Sequence, residues 1–135
     1  MSDTIHAPAL LNASAVQYTT WKVGGPIRYS FKPGSEEALC FALQEIPLSH
    51  QPIFLGLGSN TLISDEGIDG YLILTRGLNK LVKVSNENLI NAQAGVSCAT
   101  LARFAARQNL GGLEFLAGVP GTVGGAMAMN AGANG

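Results

Sequence analysis

Charge is scarce in this sequence. Asp, Glu, Lys and Arg make up 13% of its 135 residues, and eight basic against nine acidic side chains leave a net charge of −1. A chain so nearly neutral has no broad field to draw in nucleic acid or an anionic membrane surface, so neither is expected as a partner. No apolar run approaches the roughly 20 residues that cross a bilayer. The opening Met1-Ser2-Asp3-Thr4-Ile5-His6 lacks the basic and apolar regions of a secretory signal, so a cytoplasmic location is expected. Cysteine is nearly absent. Cys40 and Cys98 stand far apart with no C-x-x-C pairing, which argues against a disulfide or metal site and for two buried thiols. His6 and His50 lie near prolines in expected surface loops, and Arg28, Arg76, Arg103 and Arg107 are scattered as solvated charges would be.

Against these shortages stand 47% hydrophobic residues, enough for a folded core, and seventeen glycines, seven of which fall in two clusters. The first cluster is Leu55-Gly56-Leu57-Gly58-Ser59-Asn60-Thr61-Leu62. The second is Gly118-Val119-Pro120-Gly121-Thr122-Val123-Gly124-Gly125-Ala126, followed by Asn130-Ala131-Gly132-Ala133. Glycine is used where a backbone must approach something closely, and clustered amides form an anion cradle without a charged residue. Neither cluster is a standard phosphate fingerprint. A G-x-G-x-x-G reading from Gly56 meets Thr61 where glycine is required, and no Gly-Lys-Ser/Thr follows the second cluster. Read alone, the first cluster is either a plain turn from strand to helix or half of a cofactor cradle.

The rest of the chain reads as mixed α and β. Residues 1–17 carry no period and are expected to form an irregular arm. A strand is expected over Ile27–Phe31, then a helix capped by Ser35 with Leu39, Ala42, Leu43 and Ile46 on its buried face. Pro52 to Leu57 has the continuous apolar character of a strand covered on both faces. Further strands follow at Tyr71–Thr75 and Leu81–Val84, with a turn at Asn86-Glu87-Asn88 into Leu89–Ala94. Ser97 caps a second helix, which the glycines before Leu113 stop, and Thr122 caps a short one.

Several segments in order carry a resemblance. They are Thr19-Thr20-Trp21-Lys22-Val23-Gly24-Gly25-Pro26, the Leu55–Leu62 cluster, Gly95-Val96, Gly111-Gly112-Leu113-Glu114-Phe115-Leu116-Ala117 running into the second cluster, and Asn130-Ala131-Gly132-Ala133. Together they resemble the N-terminal part of the UDP-N-acetylenolpyruvoylglucosamine reductase family of peptidoglycan synthesis. The family opening is commonly Asn-Thr-Phe, and here it is Thr19-Thr20-Trp21, which keeps an aromatic wall and loses an amide.

The resemblance implies the two-lobed α+β FAD-binding fold of the vanillyl-alcohol oxidase type. An arm over 1–17 would precede a first βαβ lobe over 18–80 and the start of a second α+β lobe over 81–135. It implies non-covalent FAD, NADPH as reductant and a UDP-sugar substrate. Gly56 to Leu62, after Leu55, would hold the FAD pyrophosphate. Gly118, Val119, Pro120, Gly121, Thr122, Gly124, Gly125 and Ala126, with Asn130, Ala131 and Gly132, would line the flavin. The family's arginine, serine proton donor and glutamate have no matching positions, so no catalytic residue is assigned. The uncharged ending at Gly135 reads as that of a fragment. Such a chain is expected to lack turnover and to self-associate through apolar residues between Leu113 and Met129.

Overall fold

A computed structural model describes residues 9–132. The chain divides into two compact units, Met1–Gly77 and Leu78–Gly135. The break therefore falls three residues before the boundary expected at 80.

The first unit is built on a four-stranded sheet. β1 (Ala9–Ser14) pairs antiparallel with β2 (Pro26–Phe31), α1 (Glu36–Gln44) follows, and β3 (Ile53–Leu55) and β4 (Ile68–Leu74) complete the sheet in the order β1-β2-β4-β3. β4 runs parallel to both of its neighbours. The expected irregular arm is thus corrected from Ala9 onward. Residues 9–14 form an edge strand, and Ala15, in the 3-10 turn Ala15–Gln17, is fully buried. Its amide donates to the Gly25 carbonyl at 3.1 Å, a long-range bond that no local sequence period encodes.

The strand covered on both faces is β4, not β3. Leu72 and Leu74 join Ala15, Tyr18, Ile27, Leu55 and Ile63 on one face, while Tyr71 and Ile73 meet Phe31, Ala42 and Ile46 on the other. β3 lies at the sheet edge and leaves Ile53 46% and Phe54 54% exposed. A continuous apolar run signals burial without saying which neighbour supplies it. Ser35 caps α1 as expected, accepting from the Ala38 amide at 3.2 Å. The helix buries Ala42, and Ile46 beyond it is also buried, but Leu43 faces outward.

The second unit begins with the antiparallel pair β5 (Leu81–Lys83) and β6 (Ile90–Ala92), turning through Asn86 at φ 61°. α2 (Cys98–Arg107) starts on Ser97, whose hydroxyl accepts from the Thr100 amide at 3.1 Å. It packs Cys98, Leu101 and Ala102 against Leu116 and Val119, the latter just beyond the 3-10 segment Glu114–Gly118. Asn109 at φ 57° stops α2, rather than the glycines that follow it. The Asn109 amide bonds Ala106 and the Leu110 amide bonds Ala105, the paired closure of a helix C-terminus. α3 (Val123–Ala128) is short.

Candidate functional site

In the first unit the register Leu55↔Leu74 ends β3 and β4 side by side. Gly56 and Thr75 therefore leave the sheet at one edge, the C-terminal edge of a parallel pair, where open α/β sheets place ligands. The Thr75 hydroxyl donates to the Leu55 carbonyl at 3.3 Å and fixes the start of the loop. Gly58, at φ 68°, packs directly on the backbone of Tyr18, and its carbonyl accepts from the Thr20 amide at 3.0 Å. The Thr19–Trp21 motif and the first glycine cluster are thus one assembly, although about forty positions separate them. On its far side that motif is held by the Gly25 amide, which donates to the Ser64 carbonyl at 2.8 Å.

No helix follows this loop, so it is not a strand-to-helix turn. Residues 61–64 run irregularly into the turn before β4. Among the described residues, none of the amides from Leu57 to Leu62 has a protein acceptor. The stretch Leu55–Leu62 also carries no charged side chain and offers the polar groups of Ser59, Asn60 and Thr61. Uncharged amides and hydroxyls without internal partners suit an anion or a nucleotide phosphate. Beside the loop lies an apolar cavity of about 310 Å³, lined by Ile53, Leu55, Leu62, Ile63, Ile68 and Leu72 among others.

The second cluster, in the second unit, is used differently. The Val123 amide donates to Val96, Gly124 to Ala94, Gly125 to the Thr122 hydroxyl and Ala126 to the Thr122 carbonyl. The Cys98 amide in turn donates to the Gly121 carbonyl at 3.1 Å. A β-carbon at Gly124 would lie 2.8 Å from that of Ala94, so this glycine serves close packing. The first turn of α3 is thus internally satisfied, and its amides are not free to face a ligand. Open backbone remains at Gly132, with nothing within 4 Å of a β-carbon, and at Gly125, where only the Thr122 hydroxyl comes so near. Gly118, Pro120, Gly125, Asn130 and Gly132 are exposed, Gly121, Gly124, Ala126 and Ala131 partly buried, and Val119 and Thr122 buried. Ala133 lies outside the described residues, as does His6.

Two other expectations change. Cys98 is buried, but Cys40 is exposed on α1. Burial pushes the Cys98 thiol up, and desolvation outweighs the lowering from a backbone hydrogen bond. Arg76 is half-buried rather than fully solvated, and its Nε is shut from solvent with no acceptor among the described residues. The sequence signal for it was a charged residue right after a strand end, in Leu74-Thr75-Arg76-Gly77. Among the described residues no cluster of His, Cys, Asp or Glu could hold a metal, and no helix is long and apolar enough to cross a membrane.

An uncharged amide loop at the C-terminal edge of parallel strands is the kind of site that nucleotide-cofactor-binding proteins use. Residues 27–135 match the FAD binding domain family, and the chain belongs to that family. It is 49% identical over 126 residues to the UDP-N-acetylenolpyruvoylglucosamine reductase of Legionella pneumophila strain Corby, covering 93% of this chain and 41% of that protein. The protein of the same name from Nitrosococcus oceani is 47% identical over 118 residues, covering 87% and 40%. The crystal structure of UDP-N-acetylenolpyruvylglucosamine reductase from Thermus caldophilus superposes with a TM-score of 0.69 at 33% identity, covering 97% of this chain and 44% of that one. The chain spans about 41% of the length of the first of these curated relatives.

Proposed function

We propose that this chain is the FAD-holding part of an NADPH-dependent flavoenzyme that reduces UDP-N-acetylglucosamine enolpyruvate to UDP-N-acetylmuramate in peptidoglycan synthesis. The observation that carries the reading is the Leu57–Leu62 loop, uncharged and with its amides unpaired among the described residues. Its amides and the Ser59, Asn60 and Thr61 side chains would hold the pyrophosphate. Open backbone at Gly125, with Asn130 to Gly132, would lie against the isoalloxazine, where bulkier side chains would keep a flat ring away. Bound there, FAD would supply the hydride-transfer chemistry, while the residues named here would hold and orient it. The names carried by the relatives favour this substrate over the alcohols or sugars of other FAD enzymes, and a role as a non-catalytic binding module has no observation in its favour. The role assigned to these residues is positioning. Turnover by this chain alone is not expected, and the cytoplasm is its proposed location.

Titration of the purified chain with FAD, followed by flavin fluorescence and the visible spectrum, tests the reading. Saturable 1:1 binding with a shifted flavin band is expected. An unshifted spectrum and no retained flavin after gel filtration, at concentrations where the chain is folded, would overturn it.

A further inference from the structure

Arg76 occupies the strand edge from which the uncharged loop departs. Thr75, its neighbour, holds the Leu55 carbonyl where that loop begins. The Arg76 guanidinium carbon lies 5.8 Å from the ring centroid of Tyr18, and the Tyr18 carbonyl is the atom on which Gly58 packs. Arg76 is therefore tied to both ends of the Leu55–Gly58 turn, through Thr75 at one end and Tyr18 at the other. A cation at this distance from the ring is attracted to its face without using any hydrogen-bond donor. Its Nε is shut from solvent and has no acceptor among the described residues. Among the described residues the ion pair found is Arg28–Asp69, and no carboxylate answers Arg76. A guanidinium donor kept from solvent and left unpaired is costly, and such an orphan calls for a missing acceptor.

We propose that Arg76 is a phosphate-binding residue. Its guanidinium supplies the positive charge that the neutral amides of Leu57–Leu62 lack, and its ligand is the pyrophosphate of the dinucleotide. This rests on the FAD reading and deepens it. Amides give direction to a phosphate oxygen, whereas the arginine fork adds charge and two-point geometry. Tyr18 acts as the positioning residue that holds the fork in place.

The test is a titration of the full chain with FAD, comparing wild type, Arg76→Met and Arg76→Lys, with inorganic pyrophosphate as competitor. Arg76→Met should raise the FAD Kd about tenfold to a hundredfold, the loss expected for a charge-assisted hydrogen bond. It should also flatten the dependence of Kd on salt and weaken competition by pyrophosphate. Arg76→Lys keeps the charge and loses the fork, so its Kd should rise severalfold while its salt dependence stays. A folded Arg76→Met chain with the wild-type Kd and salt slope overturns the assignment and leaves FAD binding intact. Should Arg76→Met fail to fold, the decision passes to Arg76→Lys, where an unchanged Kd overturns it. Absence of FAD binding by the wild type overturns the FAD reading and this assignment together.

Discussion

A β-carbon at Gly58 would lie 2.2 Å from the carbonyl oxygen of Tyr18 and 2.9 Å from the Thr19 Cα, in a backbone already at φ 68°. Neither contact can yield, since both belong to main chain. Gly58→Ala should therefore destabilise the first unit by about 1–3 kcal/mol, the cost of a side chain forced into a left-handed site against a fixed wall. Urea unfolding measures this. Gly34→Ala is the control, since nothing lies within 4 Å of its added methyl, and it should stay within about 0.5 kcal/mol of wild type. Equal costs for the two substitutions would mean that the loop does not rest on Tyr18.

The second unit has a comparable pin in Thr122. It is 1% exposed, and its hydroxyl accepts from the Gly125 amide at 3.3 Å while its carbonyl takes the Ala126 amide. Thr122→Ala removes the cap and leaves the Gly125 amide without its side-chain acceptor. A loss of about 1–2 kcal/mol is expected, and Thr122→Ser should recover most of it. Hydrogen exchange resolves the effect, because the added exposure should concentrate in α3 and in the Ala94–Cys98 segment that it bonds.

Local signals in the sequence were reliable where the physics is local. Ser35, Ser97 and Thr122 were each legible as caps, because a hydroxyl that bonds an amide three residues on needs no distant partner. The family match bears out the FAD-binding class and cofactor that the ordered glycine segments implied. What stayed hidden depends on pairing at long range. β1 has no period of its own and exists because Leu11 pairs with Tyr29 and Ala13 with Ile27. The exposure of Phe54 follows from edge position, which is set by strand order rather than by the run Ile53–Leu55 itself. The same holds for amide use. Glycine density looks alike in the two clusters, yet the α3 cluster spends its amides on Ala94, Val96 and Thr122, and the Leu57–Leu62 loop does not. For Arg76 the sequence offers only a charge right after a strand end, and its place beside Tyr18 is set by the fold.

The two thiols should separate cleanly. Cys40 is exposed and Cys98 buried, so one equivalent of a thiol reagent should react quickly and the second only as the chain unfolds. The raised thiol pKa of Cys98 comes chiefly from desolvation, partly opposed by a backbone hydrogen bond. Its sign in stability follows directly. The unfolded thiol ionises at lower pH than the folded one, so the unfolded state binds fewer protons on the alkaline side. Stability should be unaffected below the ordinary thiol range and fall as pH rises through it. Cys98→Ala should flatten that alkaline limb of a urea-midpoint profile while lowering the whole curve through the cavity it leaves. Fast labelling of both cysteines in the folded chain would contradict the burial.

Trp21 is the chain's sole tryptophan and is 69% exposed, an unusual position for its largest apolar ring. It sits one residue from Thr20, whose amide is bonded to the Gly58 carbonyl, and the turn that carries it is closed by the Thr19 hydroxyl donating to Val23 at 3.3 Å. The indole is thus exposed yet tethered to the loop assigned to the pyrophosphate. In the free chain, acrylamide should quench its emission efficiently, as for an indole in water. Saturation with FAD should lower that emission, because the flavin absorbs where tryptophan emits, and should reduce acrylamide access severalfold. Riboflavin, which lacks the pyrophosphate, should do neither at the same concentration if the loop provides the grip. Acrylamide access unchanged at saturating FAD would place the cofactor away from the Thr19–Gly58 assembly, even in a chain that binds it.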